Sequence, residues 1–274
     1  MVQGISAALS ALQVLGRKIG ITANNIANAN TQGFKKSRAI SQDLPSARIG
    51  TIQIGRGTVL GEISESLSQG AFIPTESVTD FAIGGEGFFI VKAPGGGNYY
   101  TRNGHFGFDN EGRLVDSLGN ILQGWAVDPE SGGTEGSIGD ISLSTTVRSG
   151  SDGYGPGDLQ SVTVNPDGVV TGNYSNGNIR DLFQIAIARF PNAKGLNKVG
   201  NNLYSATRES GEALTGTAGS NGLGRIVPQS LEESNVDLAE ELTNMIIFQR
   251  SYQANLKVLE MENELKGDVL NIIS

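Results

Sequence analysis

Residues 238–273 read LAEELTNMIIFQRSYQANLKVLEMENELKGDVLNII, a segment in which a largely apolar stripe recurs at alternating intervals of four and three residues. The members of this stripe, three of them plainly polar, are Leu238, Leu242, Met245, Gln249, Tyr252, Leu256, Leu259, Asn263, Lys266, Leu270 and Ile273. The spacing predicts one long helix with a heptad seam. At about 1.5 Å per residue such a helix would be ~55 Å long, too long for a compact domain to cover.

A second stripe lies at the opposite end of the chain, and the first helix is the natural partner of the last one. Its members are Ile5, Leu9, Leu12, Ile19, Ala23 and Ile26. The Asn-rich run of residues 24–33 ends in Gly33, which is typical of a helix exit. At the other helix, Ser234 or Asn235 is suited to cap the N-terminus. We therefore expect the two terminal helices to form a coiled-coil inner domain.

The two ends of the chain carry opposite charge. Residues 1–42 contain five basic side chains and no Asp or Glu, whereas residues 232–274 contain nine acids and three bases. Opposite charge can orient helix pairing within a chain and between chains. These features indicate a structural, self-assembling protein.

Between the helices the apolar period changes to two, which predicts an antiparallel β domain and an α+β fold overall. Strands are predicted over residues 79–83, 87–91 and 181–190. Turn signals predict hairpins at five places, namely Asn103–Gly104, Asn110–Gly112, Leu118–Asn120, Asn165–Gly168 and Ser175–Gly177. The Gly-rich residues 149–157 are predicted to form a loop.

Composition excludes several classes of function. The net charge of −8 argues against a nucleic-acid partner or an anionic membrane surface. There is no Cys, which removes disulfides and thiolate ligands, and His105 is the only histidine. We expect no metal, no cofactor and no catalytic site. The first residues do not have the basic start and apolar block of a secretory signal peptide, so we expect export without a cleaved signal.

Three groups of motifs resemble the bacterial flagellar rod and hook proteins. The N-terminal signature is residues 23–35, in which we single out Asn24, Asn25, Asn28, Gly33 and Phe34. The central motifs are Gly84–Phe89, Thr101–Gly104 and Phe108–Leu114. The C-terminal signature is residues 230–255, in which we single out Glu233, Ser234, Asn235, Gln249 and Arg250.

Within that family, residues 174–177 and 195–204 resemble the hook protein. The resemblance implies a subunit of the hook, the flexible tube that passes torque from rod to filament and lines the export channel. It implies an inner domain of residues 1–32 and 233–274, a linker shell of residues 33–70, and a β domain of residues 71–144 and 159–232. Residues 145–158 would replace the outer domain that hook proteins usually insert.

The implied partners are copies of the same chain, the distal rod, the hook cap, the hook–filament junction proteins and the type III export apparatus. The inner-helix residues expected to carry subunit assembly are Ile5, Leu9, Leu12, Ile19, Ile26, Leu238, Leu242, Met245, Tyr252, Leu256 and Leu259.

Two other interpretations remain open. A distal-rod subunit is suggested by the chain length, although rod proteins usually carry an extra stretch after the N-terminal signature and the link from Phe34 to Gly57 is short. A secreted carbohydrate- or peptidoglycan-binding module or hydrolase would need an aromatic groove and paired carboxylates. Trp125 is the only tryptophan, and no acid pair stands out.

Overall fold

Two units divide the chain in the computed structural model, which describes residues 2–45, 47–49, 52–128, 133–143, 146–147 and 157–273. Unit 1 comprises residues 1–30, 35–68 and 235–274, and unit 2 comprises residues 31–34 and 69–234. The predicted α+β class, with two terminal helices and an antiparallel β-rich middle, is confirmed.

Unit 1 contains the two helices and two small antiparallel sheets. Its elements are α1 (Val2–Ala27), β1 (Ser37–Asp43), β2 (Ala47–Ile49), β3 (Ile52–Ile54), β4 (Thr58–Glu65) and α2 (Leu238–Ile273). β1 pairs with β4, and β2 pairs with β3 nearer the tip of the same long hairpin. Residues 37–65, predicted as part of a linker, are thus largely strand.

The two helices pack antiparallel along their length. The Glu262 carboxylate lies against Gly4, and the Lys18 ammonium lies 5.6 Å from the ring centroid of Phe248. The less exposed side of α2 contains Asn244, Ser251 and a stripe formed by Glu241, Met245, Phe248, Tyr252, Asn255, Leu259, Glu262 and Lys266. The positions of this stripe also alternate by four and three. The covered stripe of α2 is therefore different from the predicted one. The two stripes share only Met245, Tyr252, Leu259 and Lys266.

Asp237 caps α2, rather than Ser234 or Asn235 as the sequence predicted. Its Oδ1 accepts hydrogen bonds from the backbone N–H groups of Ala239, at 2.8 Å, and Glu240, at 3.1 Å. A side-chain oxygen that accepts from the second and third residues of a helix satisfies donors that have no intrahelical partner. The helix therefore begins two to three residues later than expected.

Unit 2 is built on antiparallel strands. They are β5 (Phe72–Pro74), β6 (Phe81–Gly84), β7 (Phe88–Lys92), β8 (Asn98–Thr101), β9 (Gly107–Phe108), β10 (Leu114–Val115), β11 (Ile121–Val127), β12 (Thr134–Asp140), β13 (Thr146–Val147), β14 (Gly157–Val164), β15 (Val169–Tyr174), β16 (Ile179–Arg189), β17 (Asn197–Gly200), β18 (Leu203–Ser205), β19 (Leu214–Thr217), β20 (Arg225–Pro228) and β21 (Ser230–Glu232). A short 3₁₀ helix spans Ala193–Gly195.

The main sheet has the strand order β13-β14-β15-β16-β11-β7-β8-β18-β17, with β10 and β12 also paired to β11, β9 to β10, and β19 to β16. Separate pairs are formed by β20 with β6 and by β21 with β5. The core of unit 2 is aliphatic and aromatic, and its most buried members include Phe81, Ile83, Phe89, Leu122, Ile185 and Ile187.

Four of the five predicted hairpins are present, and the one at Asn103–Gly104 is wrong. β8 pairs with β7 and β18, whereas β9 pairs with β10, so the chain crosses over between β8 and β9. Gly104 instead accepts a hydrogen bond from Phe81 N at 2.9 Å. Most of the predicted loop at residues 145–158 lies outside the described residues, and its described ends are in β13 and β14.

Candidate functional site

In unit 1, Asn25 ties the end of α1 to the start of β1. Its Nδ2 donates to Ser37 O at 2.9 Å, and its Oδ1 accepts from Ser37 N at 3.0 Å. Asn25 is only 1% exposed. Its amide thus reproduces the donor and acceptor of a strand neighbour, which only Asn or Gln can do with a side chain.

Asn235 has the same role for the chain entering α2. Its Oδ1 accepts from Lys36 N at 2.8 Å, and its Nδ2 donates to Ser66 O at 2.7 Å and to Ser68 O at 3.0 Å. The Lys35 ammonium, on a fully buried residue, also donates to Ser68 O at 2.8 Å. Both terminal signatures of the sequence therefore meet on one backbone segment of unit 1.

A surface ion pair adds to this region. Lys36 Nζ lies 2.9 Å from Glu240 Oε2 in the first turn of α2. It joins the basic end of the chain to the acidic end, although a partly exposed pair contributes little stability.

In unit 2, Gly33 occupies a position that only glycine fits well. Its φ is +67°, and its backbone N–H donates to Glu232 O at 2.8 Å. A Cβ on Gly33 would lie 2.6 Å from Asn103 N and 2.7 Å from the carbonyl carbon of Arg102. This position combines a left-handed backbone with a close approach to the backbone of residues 102 and 103, and glycine tolerates both because it has no Cβ.

Phe34 follows in the same segment and is 3% exposed. The Lys198 ammonium lies 4.3 Å from its ring centroid, within the range of a cation–π contact. Asn202 Nδ2 donates to Gln32 O at 2.9 Å. Residues 31–34 are thus held in unit 2 by backbone, aromatic and amide contacts together.

A buried ion pair, which the sequence analysis did not single out, lies beside this segment. Arg102 Nη1 lies 3.3 Å from Glu232 Oε2, and the two side chains are 6% and 0% exposed. Burial lowers the pKa of the Arg102 guanidinium, and the attraction of Glu232 and its hydrogen bond offset only part of that shift. Glu232 Oε1 also accepts from Gly70 N at 2.9 Å.

The other signature residues occupy more exposed places. The backbone oxygen of Asn24 accepts from Asn28 Nδ2 at 2.9 Å, which closes the end of α1. Glu233 N donates to Ala71 O at 2.8 Å while its side chain is exposed, and Ser234 is half-buried. Gln249 and Arg250 are exposed on α2, where Arg250 Nη1 donates to Gln253 Oε1 at 3.3 Å.

The helix residues expected to carry assembly divide into two sets. Leu12 is buried, and six are half-buried: Ile5, Ile19, Ile26, Met245, Tyr252 and Leu259. Leu9, Leu238, Leu242 and Leu256 are 40–50% exposed. The predicted stripe is therefore shared between the face that α1 and α2 use and a face that is open.

The only histidine of the sequence, His105, faces an aspartate. His105 Nδ1 lies 2.8 Å from the buried Asp80 Oδ1 at an isolated bridge between the two residues. Within the described ranges no group of three metal-ligating side chains occurs, and no helix there is long and apolar enough to cross a bilayer.

Comparison with known proteins places these features in context. Three family models match: "Flagella basal body rod protein" over residues 5–35, "Flagellar hook protein FlgE/F/G D1 domain" over residues 82–172, and "Flagellar basal body rod FlgEFG protein C-terminal" over residues 227–272. A solved structure, the flagellar hook protein FlgE2 of Helicobacter pylori, matches at 16% identity and a TM-score of 0.26, covering 66% of this chain and 46% of that one.

Two curated relatives span nearly the whole chain. The flagellar hook protein FlgE of Salmonella typhimurium is 27% identical over 403 residues, covering 97% of this chain and 99% of its own. The flagellar basal-body rod protein FlgG of Bacillus subtilis is 35% identical over 286 residues, covering 99% of both chains. Residues of both terminal signatures hold this fold together, and a relative that is 35% identical spans its full length. This chain therefore belongs to the family of bacterial flagellar rod and hook proteins.

Proposed function

We propose that this chain is a subunit of the flagellar hook, which assembles as a helical tube with its terminal helices on the inside. As a member of the rod and hook family it is a structural, non-enzymatic component of the bacterial flagellum. The proposal concerns which part of the flagellum it builds and how its copies bind one another.

The observation that carries the assembly proposal is a set of eight apolar side chains on α2 that are exposed in the single chain. Its members, each 38–58% exposed, are Leu238, Leu242, Ile246, Ile247, Leu256, Val258, Met261 and Leu265. Exposed apolar side chains in this number indicate an interaction site. Each Å² of apolar surface that association removes from water stabilises the assembly by about 25 cal/mol. We name these eight residues the open face of α2.

The terminal helices of neighbouring copies are the occupants that fit the open face. α1 presents Leu9, which is 50% exposed. The side chains of residues 1–42 are basic and those of residues 232–274 are mostly acidic, so the two ends of neighbouring copies attract each other. The less exposed side of α2 has heptad spacing, which supports a coiled coil of α1 and α2 within each copy. In the tube, α1 and α2 of each copy would line the channel, and unit 2 would lie outside them.

Hook identity is supported by the segments that resemble hook proteins. Residues 174–177 form the turn between β15 and β16, and residues 195–204 span the end of the 3₁₀ helix, β17 and part of β18. Under this proposal the partners are the distal rod, the hook cap, the hook–filament junction proteins and the type III export apparatus.

A distal-rod subunit is the second candidate, and the comparisons favour it in two respects, sequence identity and length. The FlgG relative is more similar, at 35% against 27% identity, and aligns over 286 residues, close to the length of this chain. The FlgE alignment runs over 403 residues, so hook relatives carry additional residues that this chain does not have.

Electron microscopy of polymers grown from the purified full-length chain distinguishes the candidates. Curved, flexible tubes are expected of a hook subunit. Straight, stiff tubes would overturn the hook proposal in favour of the rod, and failure of the chain to form ordered tubes under any condition would overturn both.

A matched pair of variants tests the open face. Ile246→Ser with Ile247→Ser should abolish tubes, whereas Asn263→Ser, an exposed polar change on the same helix, should leave them intact. Normal tubes from the double variant would show that the open face does not carry assembly.

A further inference from the structure

The buried pair Arg102–Glu232 lies where three separate segments of unit 2 converge. Glu232 belongs to β21, Gly70 precedes β5, and Gly33 belongs to the N-terminal segment of residues 31–34. The Glu232 backbone oxygen accepts from Gly33 N at 2.8 Å, and its side chain accepts from Gly70 N at 2.9 Å. One residue thus holds two segments that are distant from it in sequence.

The Arg102 side of the pair is also held by β6, β7 and the turn between them. Nη1 donates to Ile83 O at 3.2 Å, Nη2 donates to Gly85 O at 2.7 Å, and the guanidinium lies 5.5 Å from the ring centroid of Phe88. Arg102 is therefore held in part by groups that belong neither to residues 31–34 nor to β21.

A buried cation without a counter-ion is unfavourable, and removal of one partner from such a pair is strongly destabilising. Glu232 is the carboxylate within salt-bridge distance of Arg102. Docking of β21 therefore supplies the counter-ion of Arg102. The N-terminal segment then rests on both members of the pair, because Gly33 donates to Glu232 and packs against the backbone of residues 102 and 103.

We infer that Arg102 and Glu232 form a conformational lock through which the N-terminal segment and the C-terminal strand β21 stabilise each other on unit 2. Neither segment is held at full strength unless the other is docked. The lock brings residues from opposite ends of the chain into one cooperative element, and it acts the same way in a hook or a rod subunit.

Residue-resolved amide hydrogen exchange on the dilute full-length chain tests the lock. Glu232→Gln removes the charge but leaves the backbone oxygen that Gly33 uses. The lock predicts exchange at Gly33 N and Gly70 N faster by about tenfold or more, since local opening reports the lost stabilisation. Phe81 N, which donates to Gly104 O, should keep its protection.

The matched control is Glu111→Gln, which removes an exposed carboxylate 3.0 Å from Arg113. It should leave exchange at Gly33 and Gly70 unchanged. Native protection at Gly33 in Glu232→Gln, with a change at Gly70 alone, would overturn the lock and leave Glu232 as a local support for residue 70.

Reciprocity gives a second arm, because coupling between two sites must act in both directions. Gly33→Ala should speed exchange at Gly70 N, and an unchanged Gly70 would contradict the lock. If Glu232→Gln does not fold, the double variant Arg102→Leu with Glu232→Leu leaves no unpaired charge. In that variant, fast exchange at Gly33 supports the lock and native exchange overturns it.

Discussion

Side-chain amides replace backbone partners at both ends of this chain. Asn25 and Asn235 each donate and accept across a gap between segments, as a neighbouring strand would. Asp and Leu are similar in size to Asn, but an ionised Asp side chain supplies only acceptors, and a Leu side chain supplies neither a donor nor an acceptor. The requirement for asparagine at these two positions follows from the fold of unit 1, independently of any contact with another copy.

Gly33→Ala should destabilise unit 2 by more than a positive φ alone explains. The φ of +67° costs an alanine about 1 kcal/mol, and the close approach to the backbone of residues 102 and 103 adds about 1–3 kcal/mol. Gly177→Ala is the control, because its φ is +79° but no atom lies within 4 Å of a Cβ there. Urea unfolding of both variants measures the difference, and equal costs would refute the packing argument.

Asp140 should make stability depend on acid pH. A hydrogen bond from Gln123, followed by one from Lys92, lowers the pKa of this carboxyl below its ordinary value of 3.8. A carboxyl with a lowered pKa in the folded state stabilises above its unfolded pKa, and that contribution is lost as pH falls through the folded pKa. When the pH is lowered from about 5 to about 2, the Asp140→Asn variant should therefore lose less stability than the natural chain. Urea unfolding midpoints measured across this range compare the two. A parallel loss in both would contradict this assignment.

At the scale of elements, the two helices and most hairpins follow from local pattern. Asn165–Gly168 closes β14 and β15 because its turn residues act locally, with Asn165 Oδ1 accepting from Asp167 N and Val169 N. Asn103–Gly104 has an equally strong local signal, yet β8 pairs with β18, which is about 100 residues distant. Long-range pairing overrode turn propensity there.

The candidate site shows the same division. Asn25, Gly33 and Asn235 could be found from their signatures. Arg102 and Glu232 also lie inside motifs of the family, but they meet across 130 positions, so nothing local in the sequence predicts that they pair. The heptad stripe of α2 was also ambiguous, because two overlapping stripes with the same spacing run along the helix. Which of them faces α1 depends on packing that the spacing does not encode.

Asp237→Ala should weaken α2 through its N-cap. Loss of the two bonds to Ala239 N and Glu240 N is expected to cost about 1 kcal/mol, whereas Asp237→Asn should stay within a few tenths of a kcal/mol because Asn caps nearly as well. Thermal melting followed by far-UV circular dichroism compares the two. An alanine variant as stable as the asparagine variant would show that the cap is not needed.

At the scale of the whole molecule, the β core and the assembly surface belong to different units. The hydrophobic cluster of unit 2 is built from its own strands, and the open face of α2 belongs to unit 1. Folding of unit 2 and polymerisation of the chain should therefore be separable by changes confined to α2.

Removal of residues 256–274 should leave unit 2 folded and abolish polymerisation. The truncation deletes half of the open face and the part of α2 that packs near the start of α1, but it removes nothing from unit 2. Sedimentation measures polymer, and the dispersed amide spectrum of the soluble chain reports unit 2. Normal tubes from the truncated chain would exclude α2 as the assembly element.

The most direct measurement is an image reconstruction of the assembled polymer at a resolution that shows helices. The terminal helices should line the central channel, with the open face of α2 against the terminal helices of neighbouring copies and unit 2 at larger radius. A tube whose channel is lined by unit 2, with the apolar residues of α2 facing solvent, would contradict the proposed assembly.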